Sequence, residues 1–120
     1  MNNEFDQKLF DEWLSLRKQL AEAKHSKNHE NIIKLCLAIL SLNDRAKFIK
    51  IMTPLFYKEI ANSYLKLNDY SNALHYLETA RDDFIAYRQN NNLDNPDDWL
   101  KDINKLEKDI DKTKSKISFE

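Results

Sequence analysis

The chain contains no glycine, and that zero removes whole classes of protein. Phosphate-binding loops, dinucleotide-binding turns and nucleophile elbows each need a residue without a Cβ, either to let backbone approach a ligand or to relieve a strained turn. Tight two-residue β-hairpins of types I′ and II′ do not form easily without one. Proline is nearly as scarce, with two residues, and the single cysteine, Cys36, has no partner for an internal disulfide. Neither sign of charge dominates. With 19 Lys and Arg against 20 Asp and Glu, the formal net charge is -1 at pH 7, so no global field attracts nucleic acid or an anionic membrane. No apolar run approaches the ~20 residues needed to span a bilayer. The first residues, Met1-Asn2-Asn3-Glu4-Phe5-Asp6, lack the basic and apolar regions of a signal peptide. A lone thiol within the apolar run 32–40 suits a reducing compartment, and the expectation is a cytoplasmic protein.

What is present points to helices. The 120 residues amount to one domain. Hydrophobic residues make up 42% and charged residues 32%, with a mean hydropathy of -0.73, which fits thin helical layers better than a thick sandwich. Thr53-Pro54 and Asn95-Pro96-Asp97-Asp98 both read as helix starts, with a capping side chain followed by proline in the first turn. Asparagine takes over the role of glycine at helix ends, because it tolerates the left-handed conformation better than other residues with a Cβ. Asn28, Asn43, Asn68 and the run Asn90-Asn91-Asn92 then divide the chain into about five helices.

Apolar spacing agrees with that division. Phe5, Leu9, Trp13, Leu16, Leu20 and Ala23 form one face. Ile32, Ile33, Cys36, Leu37, Ile39 and Leu40 form a second, and Tyr57, Ile60, Ala61, Tyr64 and Leu65 a third. Tyr70, Ala73, Leu74, Leu77, Ala80 and Phe84 mark a fourth helix. Trp99, Ile103, Leu106, Ile110 and Ile117 mark a narrow seam on a fifth. Period-two alternation is absent over any useful length, so the fold class expected is all-α.

The stretch 56–84, FYKEIANSYLKLNDYSNALHYLETARDDF, resembles a tetratricopeptide repeat (TPR). Tyr57, Ile60, Ala61 and Tyr64 match the first helix of that motif, and Ala73, Leu77 and Ala80 match the second, with alanine in place of the family's usual glycine at position 61. A shift of 41 residues finds a degenerate second copy: Leu16, Leu20 and Ala23 fall on Tyr57, Ala61 and Tyr64, while Ile32, Cys36 and Ile39 fall on Ala73, Leu77 and Ala80. A further shift of 42 places Trp99 on Tyr57. This long pitch is similar to the repeats of kinesin light chains and Rap-type bacterial peptide receptors. The resemblance implies a single domain made of a degenerate repeat (5–42), a best-matching repeat (54–89) and a capping helix (96–117), stacked as a short right-handed superhelix. Each hairpin is too thin to bury its apolar face alone, so stacking supplies the core. The additional segment 43–52 is expected to lengthen a flanking helix or add a short one.

In such a stack the first helix of each pair faces a concave surface. The resemblance places Leu55, Lys58, Asn62, Leu65 and Lys66 there, with Arg17, Ala21 and Lys24 on the preceding repeat and Lys101 and Lys105 on the last helix. Lys58-x-x-x-Asn62 is similar to part of the carboxylate clamp by which some TPR domains hold a partner's C-terminus. The function implied is non-catalytic binding of another protein or a peptide segment, with Lys58, Asn62, Leu65, Lys66, Arg17 and Lys24 as contacts and with no cofactor, nucleic acid or membrane partner. The alternative is a structural subunit that self-associates, as a homodimer for example, through its N-terminal or C-terminal helix. An exposed aromatic face around Phe5, Phe10 and Trp13, or at Trp99, would favour it.

Other chemistry reads weakly. His25 and His29 are four apart, but Asn28 interrupts the helix between them, so they are expected as turn residues and not as metal ligands. Cys36 and His75 form the one conceivable nucleophile pair, yet a thiol inside an apolar stripe is inert. Asp82-Asp83 and Asp97-Asp98 are adjacent in sequence, point apart on a helix and make poor acid–base partners.

Overall fold

The computed structural model describes residues 4–118. Among these, five helices follow in order: α1 (Gln7–His25), α2 (His29–Arg45), α3 (Thr53–Lys66), α4 (Tyr70–Asn90) and α5 (Leu100–Ser118), with no strand. Each helix packs its backbone against its neighbours in the chain, α1 on α2, α2 on α3, α3 on α4 and α4 on α5. The result is an elongated stack of 49 × 35 × 22 Å made of two hairpins and a closing helix.

The two hairpin turns show why a chain without glycine can reverse so sharply. Lys27 and Asn68 take the left-handed conformation, with φ of 57° and 61°. In the first turn Lys27 N–H donates to Lys24 O at 3.2 Å and Asn28 N–H to Ala23 O at 2.9 Å. In the second, Asn68 N–H donates to Leu65 O at 3.1 Å and Asp69 N–H to Tyr64 O at 3.0 Å. These pairs of bonds close a Schellman motif and satisfy the last carbonyls of α1 and α3. The next residue then caps the following helix. Asn28 Oδ1 accepts from Asn31 N–H and Asp69 Oδ1 from Asn72 N–H, both at 3.2 Å. Every one of these residues in the second turn lies 41 positions after its counterpart in the first.

The core consists of two clusters that share one wall. The first joins Leu20 and Ala23 of α1, the buried face of α2 and Ile60 of α3. The second joins Ala61 of α3, Leu77, Ala80 and Phe84 of α4, and Ile103, Leu106 and Ile110 of α5. Ile60 and Ala61 are adjacent, fully buried and committed to different clusters, so α3 is sandwiched. Ala61 and Ala73 have no exposed surface, which is the packing expected where small side chains let two helices approach closely. The seam on α5 also forms as expected, with Ile103, Leu106 and Ile110 buried. Thr113 continues it, and its hydroxyl donates to Asp109 O at 2.7 Å.

Several expectations fail, each for a local reason. Asn43 ends nothing, because α2 continues to Arg45 and buries Leu42 and, just beyond, Ala46. Of the segment 43–52, the first three residues lengthen α2 as expected, and the rest adds no helix but forms a turn pinned to the first cluster by Ala46, Phe48, Ile49 and Ile51. Leu37 is exposed on the outer face of α2, while Leu35 takes a buried place. Phe5 lies outside α1, which Asp6 caps, and is 61% exposed. Thr53 does not cap α3. It is the first helical residue, Met52 holds the capping position without a side-chain bond, and the Thr53 hydroxyl donates to Asp83 Oδ2 of α4 at 2.5 Å.

The largest departure is at the start of the last helix, which begins at Leu100 and not at residue 96. Asn95 and Asp98 form a reciprocal capping arrangement: Asn95 Oδ1 accepts from Asp97 N–H at 2.9 Å, and Asp98 Oδ2 accepts from Asn95 N–H at 3.2 Å. The turn they start is broken at once by Trp99, held at φ 71°. Two contacts from α4 hold the break in place. Trp99 stacks on Phe84 at 5.4 Å between ring centroids, and the Arg88 guanidinium donates to Asp98 O at 2.5 Å. Burying a large aromatic against Phe84 outweighs the ~1–3 kcal/mol that a left-handed non-glycine residue costs.

Candidate functional site

Leu55, Asn62 and Lys66 form an exposed line along α3, at helical spacings of seven and four. Residues on either side of that line show what flanks it. Lys58 reaches Asp102 of α5, Nζ to Oδ1 at 3.4 Å. Its neighbour Glu59 forms an ion pair with Lys24 of α1. The open face of α3 therefore lies between α1 and α5, so the first helices of successive pairs line one side of the molecule. Trp13 of α1 and Phe56 of α3, 6.5 Å apart, close the join between the first two.

The structure brings the expected contact residues onto this side but changes what they can do. Asn62 and Lys66 are exposed and point outward. The Lys58 ammonium lies against a carboxylate, so a partner's carboxylate would compete with Asp102 for it. Lys24 is likewise engaged with Glu59. Arg17 lies over the Trp13 ring, 5.3 Å from its centroid, and is held there by a cation–π contact. Leu65 is half-buried and packs with the second cluster. It also lines a small depression with Asn68, Tyr70, Asp109, Lys112, Thr113 and Lys116, where the last turn of α5 meets the turn after α3. Lys105 pairs with Asp109 one helical turn on, at 2.7 Å.

Glu59 and Asp102 are the residues that sequence reading missed. Their lysine partners lie far off in the chain, on other helices, so no local spacing announces them. Both pairs are partly exposed, and each is worth ~0.2–1 kcal/mol, enough to orient a side chain but not to hold the stack together.

The remaining candidates stay apart. Cys36 has no exposed surface, and burial, with a smaller contribution from Glu59, pushes its thiol up to about 12. His75 is exposed on α4 with its ring edge-on to Tyr76 at 4.9 Å. His25 is exposed at the end of α1, whereas His29 Nδ1 lies 3.3 Å from Ser63 Oγ. Among the described residues no group of three His, Cys, Asp or Glu side chains is arranged to hold a metal ion, and no helix is long and apolar enough to cross a membrane. Where α3 meets α4, Tyr76 stacks between Tyr57 and Tyr64, at 6.3 and 5.8 Å. Burial raises both of those phenols, helped by Asp83 at Tyr57 and by Tyr76 at Tyr64.

Comparison with protein-family models finds no match to this chain, and comparisons with curated proteins and with solved structures likewise find none.

Proposed function

We propose that this protein is a non-catalytic binding module of TPR-like construction, working in the cytoplasm, which holds a peptide segment of another protein along the side formed by α1, α3 and α5. The single observation that carries this reading is the open line Leu55–Asn62–Lys66, flanked on both sides by helices tied to it through ion pairs. An amide donor, an exposed cation and one apolar side chain on a helix suit an extended peptide, which offers carbonyls, a carboxylate and alternate side chains. Lys58 and Lys24 contribute by setting the walls, and Arg17 by widening the positive edge above Trp13.

Selection of twelve-residue peptides from a random library on the immobilised protein tests this. Selected peptides are expected to bind the Lys66→Glu and Asn62→Ala variants at least five-fold more weakly, with unchanged far-ultraviolet circular dichroism. Equal affinity for both variants removes the assignment. Lys58→Glu is a poorer probe, since it also sets two carboxylates against each other at Asp102.

Self-association through the N-terminal helix is the second reading, favoured by Phe5 and Leu14, which are 61% and 46% exposed. Phe5 sits 5.6 Å from Phe10 and 5.2 Å from Phe48, forming an aromatic edge at that end of the stack. Sedimentation velocity at micromolar concentration decides: a monomer rules out a stable dimer in that range.

A further inference from the structure

The outward side of α5 carries Lys101, Lys105, Lys108, Lys112 and Lys116, spaced four, three, four and four residues apart, and all five are exposed. At 3.6 residues per turn these positions fall on one line, about 22 Å long at 1.5 Å per residue, opposite the buried seam of Ile103, Leu106 and Ile110. Lys105 is paired with Asp109, and Lys116 covers the Tyr70 ring at 5.0 Å. Lys101, Lys108 and Lys112 have no ion-pair partner among the described residues. A shallow depression lined by Asp97, Leu100, Asn104 and the first three lysines opens beside the ridge, and Leu100 within it is 37% exposed.

We infer that this ridge is a second docking surface, and that its occupant is an acidic helical segment of another protein with one apolar side chain. The charge pattern selects that partner class. Glu107 and Asp111 bound the ridge on one edge and Asp109 on the other, which confines the positive strip to the width of one helix. A facing helix with carboxylates at four- and three-residue spacing meets the lysines alone, while a bilayer or a nucleic-acid duplex is broad enough to meet the bounding carboxylates as well, where like charges repel. Leu100 gives the segment a water-excluding foothold, which neither phosphate surface would use. The net charge of -1 removes long-range steering, so recognition rests on this local register.

The probe is a fluorescein-labelled sixteen-residue peptide with Glu at positions 2, 6, 9 and 13 and Leu at position 5, read by fluorescence anisotropy in 50 and 300 mM NaCl. The expected results are saturable binding that weakens at least five-fold at the higher salt, and at least a ten-fold loss in the Lys108→Glu/Lys112→Glu variant. A three-fold or larger loss is expected in Leu100→Ser, with no more than two-fold change in Lys66→Glu. The last variant separates this ridge from the α3 line, so either reading can fail without the other. Binding unchanged in the double variant, equal binding of a scrambled peptide, no binding at 1 mM, or tighter binding to a sixteen-base-pair duplex or phosphatidylserine vesicles would each overturn the inference.

Discussion

The two hairpins share a turn but not a crossing. From the last carbonyls of the first helix to the cap of the second, residues 23–31 and 64–72 share the same pair of backbone closing bonds and the same cap bond. The second turn adds Asn72 Nδ2 to Asp69 Oδ2 at 2.8 Å and Tyr70 OH to Asn68 Oδ1 at 3.1 Å. In the second hairpin the facing positions expected at the crossing carry Ala61 and Ala73, both without exposed surface, and the equivalent positions in the first carry Leu20 and Ile32, at 8% and 5%. Turn chemistry and crossing residues are thus separable. A left-handed residue followed by a capping side chain fixes the reversal, and side-chain volume then decides how near the two helices lie.

Exchanging the crossing residues tests that separation most severely. Ile32→Ala should cost ~2–5 kcal/mol in urea unfolding, because the first hairpin is built around the larger side chain and a cavity replaces it. A loss well under 2 kcal/mol would mean that the hairpin closes to the spacing of the second, and the contrast would collapse. The reverse exchange, Ala73→Ile, should cost ~1–3 kcal/mol by overpacking. Cys36 and Leu77 occupy equivalent positions, and only the first can ionise. Its thiol, raised in the folded protein from the ordinary 9.0 to about 12, contributes stability that is complete below pH 9 and is lost as the pH rises toward 12. The slope approaches ~1.4 kcal/mol per pH unit in that window. Cys36→Ala should flatten this component of the alkaline unfolding profile while leaving the part due to Tyr57 and Tyr64.

Smaller effects sharpen the shared half of the comparison. Asn28→Ala and Asp69→Ala should each cost ~1 kcal/mol, and within a few tenths the same amount, if the two caps are equivalent. Lys27→Gly should stabilise by ~0.5–1 kcal/mol, and Asn68→Gly by less, since asparagine already tolerates the left-handed region. Equal gains at both positions would show that this tolerance is not what selects asparagine there.

Much of this architecture is legible in the residues because it is local or periodic. The stripes of α4 and α5, the paired alanines and the turn at Asn68 all follow from spacings within one or two turns of helix, whereas in the first turn Lys27 and not Asn28 takes the left-handed conformation and Asn28 caps α2. Errors arise where a distant group overrides a local preference. Pro96 with its capping residues does start a turn, but Phe84 and Arg88, on another helix, hold Trp99 and Asp98 in a geometry that ends it. Thr53 has the chemistry of a cap, and Asp83 draws its hydroxyl away. On the candidate face, helical spacing placed Asn62 and Lys66 together on an open surface. It was silent about Glu59 and Asp102, because an ion pair between helices depends on how the helices stack.

Since each helix lays its backbone only against its chain neighbours, and helices two apart meet through side chains at the edges of the two core clusters, order travels through this molecule largely in single file. Most native contacts then form within a helix or between helices consecutive in the chain, which favours rapid folding. Tension applied to the two ends should peel helices off one after another, with α3, committed on both flanks, the last to let go.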